Sequence, residues 1–146
     1  MAVTSARGMR DFPPRDKERR DAILAIIGET YHRHGFEAIE TPALEDSSVL
    51  HSGMGGDNEK LAFQVLKRGL ESAALAGASD PSELSDLGLR FDLTVPLARF
   101  YATHHASLPP VFRAFHTGPV WRAERPQKGR YRQFVQCDID ILGEAG

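Results

Sequence analysis

The feature that most constrains the fold of this chain is a pair of long predicted strands in its last third. They cover residues 111–124 and 131–142, and polar and apolar side chains alternate over residues 121–124 and 135–141, which is the period-two pattern of β-strands. The segment between them, residues 125–130, contains a proline, a glycine and three basic residues, which is typical of an exposed turn. We therefore predict a long antiparallel hairpin with a six-residue tip.

The alternation gives the two faces of this hairpin different chemistry. Odd positions of the second strand are apolar, and we predict that they pack into the core: Val135, Cys137, Ile139 and Ile141. Even positions of both strands carry a mixture of charged, amide and aromatic side chains: Arg122, Glu124, Arg132, Phe134, Gln136, Asp138 and Asp140. A solvated strand face is the ordinary interpretation of polar residues, but this variety of side chains favours a binding face. Cys137 is expected to be a buried, inert thiol and Trp121 a core residue.

The first two-thirds of the chain mix helices with short strands. An extended arm over residues 1–13 precedes a helix over 14–34, with Pro14 in its first turn and Gly35 after its end. Strands are predicted over residues 36–39, 61–65 and 87–91. Between them, the glycines within residues 53–56 indicate a loop and residues 69–86 a surface insertion. A second helix is predicted over residues 94–105, with Thr94 as its N-cap. The predicted fold class is α/β of the α+β type, an antiparallel sheet flanked by helices.

Composition excludes several classes of protein. The 146 residues contain one cysteine, so an internal disulfide and a cysteine-based zinc site are excluded, and no apolar run reaches the ~18 residues of a membrane helix. We therefore expect no membrane association and a cytoplasmic location. Residues 113–132 carry six basic groups and one acid, whereas the remaining residues carry 12 basic and 19 acidic groups. This focus of positive charge favours a local anionic ligand such as a nucleotide triphosphate, with a solvated charged loop as the alternative.

Four segments resemble the histidyl-tRNA synthetases, a family of class II aminoacyl-tRNA synthetases. Motif 2 of that family is similar to GPVWRAERPQKGRYRQFVQCDIDILGE, residues 118–144. The segment that holds the amino group of histidine is similar to LRFDLTVPLAR, residues 89–99, and the N-terminal signature to RGMRDFPP, residues 7–14. Motif 1 is similar to the long helix followed by EAIETPALE, residues 37–45, whose proline, here Pro42, lies at the family's dimer interface.

The resemblance implies a site for ATP and L-histidine. Arg122 would be the catalytic group, contacting the α-phosphate and the substrate carboxylate, because a guanidinium binds both bidentately and stays charged. The implied ATP-binding residues are Arg122, Glu124, Arg130 and Phe134. The implied L-histidine-binding residues are Asp92, Leu93 through its backbone, Thr94, Arg122, Gln136 and Asp140. Mg²⁺ is expected with ATP, without a dedicated metal site in this chain. Asp138 has no implied role, and we interpret it as structural.

The resemblance also implies an activity. It is the ATP-dependent conversion of L-histidine to histidyl-adenylate and its transfer to tRNA(His), by a homodimeric ligase of protein synthesis. Residues 1–146 would be the N-terminal part of the catalytic domain, with motifs 1 and 2 and without motif 3 or the anticodon-binding domain, and we expect them to be inactive alone. Two alternatives remain open: a synthetase-like regulatory subunit that senses histidine for its biosynthesis, and a non-catalytic nucleotide-binding fragment.

Overall fold

A computed structural model describes residues 3–51 and 61–143 of the chain. The glycine-containing loop predicted at residues 53–56 lies outside these described residues. The helices are α1 (Pro14–Arg33), α2 (Ser47–His51), α3 (Ser72–Gly77) and α4 (Thr94–His104). The strands are β1 (Glu37–Ile39), β2 (Leu44–Asp46), β3 (Phe63–Leu66), β4 (Ser85–Leu89), β5 (Val111–Trp121) and β6 (Gln133–Gly143). No helix in the described ranges is both long and apolar enough to cross a membrane.

The strands form two small sheets. In the first, β5 and β6 pair antiparallel from Val111 opposite Gly143 to Trp121 opposite Gln133, and β1 pairs parallel to the other edge of β5. The second sheet is antiparallel with the order β2-β4-β3. The predicted hairpin and the antiparallel sheet flanked by helices are confirmed, with β1 as a parallel addition. The connection is longer than the predicted tip and runs over residues 122–132, where a single bridge joins Gln127 to Arg130.

Local sequence signals fix the ends of the two longer helices. Helix α1 begins at Pro14, whose missing N–H costs nothing in the first turn, and ends before Gly35, which has a φ of +79°. The prediction that Thr94 caps α4 is wrong, because the cap position is Leu93 and Thr94 is the first helical residue. The capping contact comes from the Asp92 side chain, whose Oδ1 accepts a hydrogen bond from the Val95 N–H at 3.2 Å.

The hydrophobic cluster beneath α4 lies on the even face of the hairpin, whereas the odd face buries Phe115 of β5. The prediction that the odd positions of β6 pack into the core is therefore wrong for Cys137, Ile139 and Ile141, while Val135 is half-buried. Helix α4 packs its buried Leu97 against Phe112 and Ala114 of β5. On the odd face, the side chains of Ile139 and Ile141 are 41% and 59% exposed. The reason is that β6 is an edge strand, whereas α1 packs mainly over β1 and β5.

Two side chains expected in the core lie closer to the surface. Cys137 is an exposed free thiol rather than a buried one, because β6 is only partly covered on its odd face. Burial of its sulfur and the nearby Asp138 charge nevertheless raise the pKa of the Cys137 thiol. Trp121 is half-buried, and its indole N–H donates to Gln133 Oε1 at 3.2 Å across the end of the hairpin.

A buried arginine connects the two sheets. Arg90, which follows β4, is 3% exposed, and its guanidinium donates to the carbonyl oxygens of Thr41 at 2.7 Å, Pro42 at 3.3 Å and Pro119 at 2.9 Å. The approach to β5 requires glycine at 118, because a Cβ there would lie 2.4 Å from Arg90 Nη2. Three chain segments that are distant in sequence therefore meet at one side chain.

We expect Arg90→Ala to destabilise the protein strongly. The change leaves several buried carbonyl groups without their donor, and such losses cost roughly 2–4 kcal/mol in total. Urea denaturation would measure the free energy of unfolding, with Arg68→Ala as the control because Arg68 is exposed and its removal should cost within about 0.5 kcal/mol. Equal losses for the two variants would contradict this role for Arg90.

A buried histidine should make stability depend on pH. His116 is 0% exposed, and burial, followed by the charge of Arg90, lowers its pKa from 6.5 to about 4. Between these two values the unfolded chain binds more protons than the folded chain, so this stabilisation is complete above about pH 6.5 and lost as the pH falls through about 4.

Over that window, we expect the free energy of unfolding to fall by up to about 3 kcal/mol more in the unsubstituted chain than in His116→Gln. Urea denaturation at several pH values would measure both slopes. His32→Gln, at an exposed position, should keep the slope of the unsubstituted chain. The same slope in the His116 variant would show that this histidine does not titrate as expected.

Candidate functional site

Arg122 lies directly after β5 and is held in place by backbone groups on two sides. Its backbone N–H donates to Arg132 O at 2.8 Å, which continues the hairpin pairing by one step, and its side-chain Nε donates to Phe91 O at 3.0 Å. The guanidinium carbon lies 5.0 Å from the centre of the Phe134 ring. The predicted proximity of Arg122 and Phe134 on one sheet face is therefore confirmed by the geometry.

A cavity of about 500 Å³ opens beside these two residues. All four residues that the sequence assigned to ATP line it: Arg122, Glu124, Arg130 and Phe134. Three further lining residues, Arg10, Gly129 and Tyr131, were not among the predicted site residues. Three arginines and one glutamate give the wall a net positive charge, which suits an anionic ligand.

Two of the lining residues pair with each other. Arg130 Nη2 lies 2.7 Å from Glu124 Oε2 and 3.0 Å from Glu124 Oε1, and the side chain of Arg130 is 58% exposed. An exposed ion pair of this kind contributes at most about 1 kcal/mol. A phosphate group that enters the cavity can therefore replace Glu124 as the partner of Arg130 at a small cost in free energy.

The second part of the site is the start of α4. The Asp92 carboxylate caps this helix, where the positive end of the helix dipole stabilises a negative charge. Leu93, between Asp92 and Thr94, is 0% exposed, so its side chain packs inside. Thr94 is exposed at the first helical position.

The polar side chains of β6 complete the arrangement. Gln136, Asp138 and Asp140 lie opposite Gly118, His116 and Ala114, on the same face of the hairpin as Phe134. Within the described part of the chain, the buried Oε1 atom of Gln136 has no hydrogen-bond partner. A buried acceptor without a donor is costly, and a ligand N–H at this position would satisfy it.

The electrostatics show that the two parts of the site are close together. Burial raises the pKa of the Asp138 carboxyl, as do the negative charges of Asp140 and Asp92, whereas the positive charge of Arg122 opposes the shift. Asp92, Asp140 and the Arg122 guanidinium therefore all lie within electrostatic range of Asp138. Sequence reasoning set Asp138 aside, although its even position between Gln136 and Asp140 was a signal that it shares their face.

The donor set limits how a metal ion could bind. Among residues 3–51 and 61–143, no three His, Cys, Asp or Glu side chains form a cluster suited to a metal. Glu124 places one carboxylate on the cavity beside Arg122 and Phe134. One carboxylate fits Mg²⁺ carried by phosphate oxygens, which needs few protein ligands and would supply charge neutralisation on the phosphates.

Comparison with known proteins agrees with this geometry. A family model described as Histidyl-tRNA synthetase matches residues 8–146. A histidine--tRNA ligase of Leifsonia xyli subsp. xyli is 64% identical over 146 residues, which cover 98% of this chain and 34% of the relative. A crystal structure of histidyl-tRNA synthetase from Nostoc sp. PCC 7120 superposes with a TM-score of 0.75 at 31% identity, over 99% of this chain and 30% of that one.

A more distant structure shares the fold alone. It is described as an ATP phosphoribosyltransferase regulatory subunit/histidyl-tRNA synthetase from Bacillus halodurans and superposes with a TM-score of 0.71 at 23% identity, over 95% of this chain and 32% of that one. The chain thus spans about a third of the length of the relatives it matches. Because the family model covers nearly all of its residues, the chain belongs to the histidyl-tRNA synthetase family.

Proposed function

We propose that residues 1–146 form the N-terminal part of a class II catalytic domain that activates L-histidine with ATP for transfer to tRNA(His). The observation that carries the proposal is the position of Arg122 between a cationic cavity and a group of carboxylates. An anionic polyphosphate fits the first region and an ammonium group the second. The histidine--tRNA ligase name of the 64% identical relative supports the same activity.

Adenylate formation suits this arrangement of charges. The carboxylate oxygen of histidine attacks the α-phosphorus of ATP, the bond to the β-phosphate oxygen breaks, and pyrophosphate leaves. The protein has to align the two anions and offset their charge, which is a positioning task without covalent catalysis by the protein. Arg122 is suited to it, because one planar guanidinium can donate to a carboxylate and to a phosphate at the same time. Phe134 offers a ring for stacking on adenine, and Arg130 a cation for the outer phosphates.

Recognition of histidine would use the other end of the site. The unpartnered Gln136 Oε1 and the Asp92 carboxylate are acceptors for the amino group, with the Leu93 backbone and Thr94 beside them. Asp140 lies on the same strand face and would accept the imidazole N–H. A site that hydrogen-bonds a polar group of its substrate strongly rejects apolar isosteres that lack it.

The second candidate is a histidine-sensing regulatory subunit. It is favoured only by the name given to the Bacillus halodurans structure, whose 23% identity supports a common fold and no more. A sensor needs the histidine end of the site but not the cationic cavity. The cavity with Arg122, Glu124, Arg130 and Phe134 therefore favours the ligase.

A homodimer is the proposed assembly, with the cytoplasm as its location. All twenty residues of α1 are described, and none is fully buried. Ile23 and Ile26 of this helix are 50% and 66% exposed, and Ile139 and Ile141 are also exposed on the odd face of β6. Together with the resemblance around Pro42 to motif 1, these apolar side chains support a second copy as the partner.

Histidine-dependent exchange of pyrophosphate into ATP tests the activity. We expect exchange by a chimera in which residues 1–146 replace the matching third of the Leifsonia xyli ligase. The 146-residue chain alone should be at least about 10²-fold slower, because loss of even one group that stabilises transition-state charge typically costs that much. A folded chimera that binds histidine without exchange would favour the regulatory subunit, and brisk exchange by the short chain would contradict its proposed partial nature.

Asp140→Asn tests the histidine end of the site in the same chimera. The substitution keeps the shape of the side chain but removes the charge that faces the imidazole. Hydrogen bonds to charged groups contribute roughly 1.5–3 kcal/mol, so kcat/KM for histidine should fall about 10- to 150-fold, with little change in KM for ATP. Asp86→Asn, at an exposed position of β4, is the matched control and should change neither constant. Equal effects of both variants would place the histidine pocket elsewhere.

A further inference from the structure

The N-terminal arm, residues 3–13, is joined to the loop that carries the predicted phosphate-binding residues. Gly8 O accepts a hydrogen bond from the Arg132 N–H at 2.7 Å. Gly8 has a φ of +82°, and a Cβ at this position would lie 2.8 Å from Pro126 Cγ and 2.9 Å from Arg132 Cδ. Because glycine allows this close approach, the arm forms part of the cavity wall rather than a free extension.

Arg10 is the charged residue that the arm brings to the cavity. Its guanidinium carbon lies 4.1 Å from the centre of the Tyr131 ring and 4.6 Å from the centre of the Phe12 ring. Contact with two aromatic rings orients the planar group and stabilises its charge, while the N–H groups along its edge stay available as donors. Arg10 therefore has the properties of a preorganised anion-binding group.

The charges around the cavity show which cations are available. Arg130 is paired with Glu124. In the part of the chain that the structure describes, Arg10 and Arg122 have no carboxylate partner within ion-pair distance. A cation that lines a cavity and has no counter-ion is suited to an anionic ligand rather than to a structural pair.

We propose that Arg10 binds the phosphate chain of ATP, as a second cation beside Arg122. This inference rests on the proposed function, because it requires ATP in the cavity. A triphosphate carries three to four negative charges, which a single unpaired cation does not balance. Among the described lining residues, Arg122 is the other cation without a carboxylate partner, because Arg130 is paired with Glu124. Arg10 thereby adds a phosphate ligand from outside the segment that resembles motif 2.

Arg10→Ala in the chimera tests this role, because binding of ATP can be compared with binding of adenosine, which lacks the phosphates. We expect KM for ATP to rise roughly tenfold, because one charge-assisted contact to phosphate is lost. KM for histidine and the inhibition constant of adenosine, which has no phosphate, should stay within about twofold. Arg10→Lys keeps the charge but loses the stacked plane, so it should recover part of the loss. Arg7→Ala removes an equal charge from the same arm and is the control.

Several outcomes would overturn the inference. One is an equal KM for ATP in Arg10→Ala and Arg7→Ala. Another is a parallel rise in the adenosine inhibition constant, which would mean that Arg10 only supports the cavity wall. Arg10→Gln, which keeps a planar polar group, decides the matter if the alanine variant unfolds, and an unchanged KM for ATP there also contradicts the role. If the unsubstituted chimera does not exchange pyrophosphate, the proposed function is contradicted. If the chimera exchanges normally and substitution of Arg10 leaves KM for ATP unchanged, only the inference about Arg10 is overturned.

Discussion

The Arg90 guanidinium carries a positive charge into the interior, and the oxygens that surround it come from segments far apart in the sequence. Thr41 and Pro42 lie between β1 and β2, while Pro119 belongs to β5. Because Arg90 O also accepts the Trp121 N–H at 2.9 Å, the same residue fixes the end of the hairpin from which Arg122 projects. The position of the candidate catalytic group thus depends on a hydrogen-bond network that contacts no predicted ligand.

Sequence patterns predicted the elements of the fold better than their packing. Helix α1 and the β5–β6 hairpin were predictable because proline, glycine and alternating side chains act locally. The face of the hairpin that is buried was not predictable in this way, because it depends on the packing of α4 against Phe112 and on the position of β6 at the edge of its sheet. Apolar residues on an alternating strand predict that this face is buried, but they do not indicate what buries it. The face can be covered by the chain's own core or by a second copy of the chain.

The candidate site divides in the same way. That Arg122, Phe134 and Gln136 share one face follows from the period of two and from the register of the hairpin. Arg10 was not predictable from that pattern, because its approach depends on the backbone contact between Gly8 and Arg132. Residues that reach a site through the tertiary fold leave no periodic signal in the sequence, whereas residues on the strands that form the site do.

The exposure of Cys137 has a practical consequence, since it is the one cysteine of the 146 residues. It lies on the odd face of β6, beside a cavity of about 370 Å³ that Ile26, Ile27, Thr30 and Tyr31 also line. A thiol-reactive fluorophore would therefore attach at one defined point, on the side of the sheet opposite to Phe134 and Gln136. The raised pKa of the thiol calls for mildly alkaline labelling. The sequence thus already contains an attachment point for a spectroscopic reporter of the packing of α1, and a label there leaves the face with the candidate site chemically unmodified.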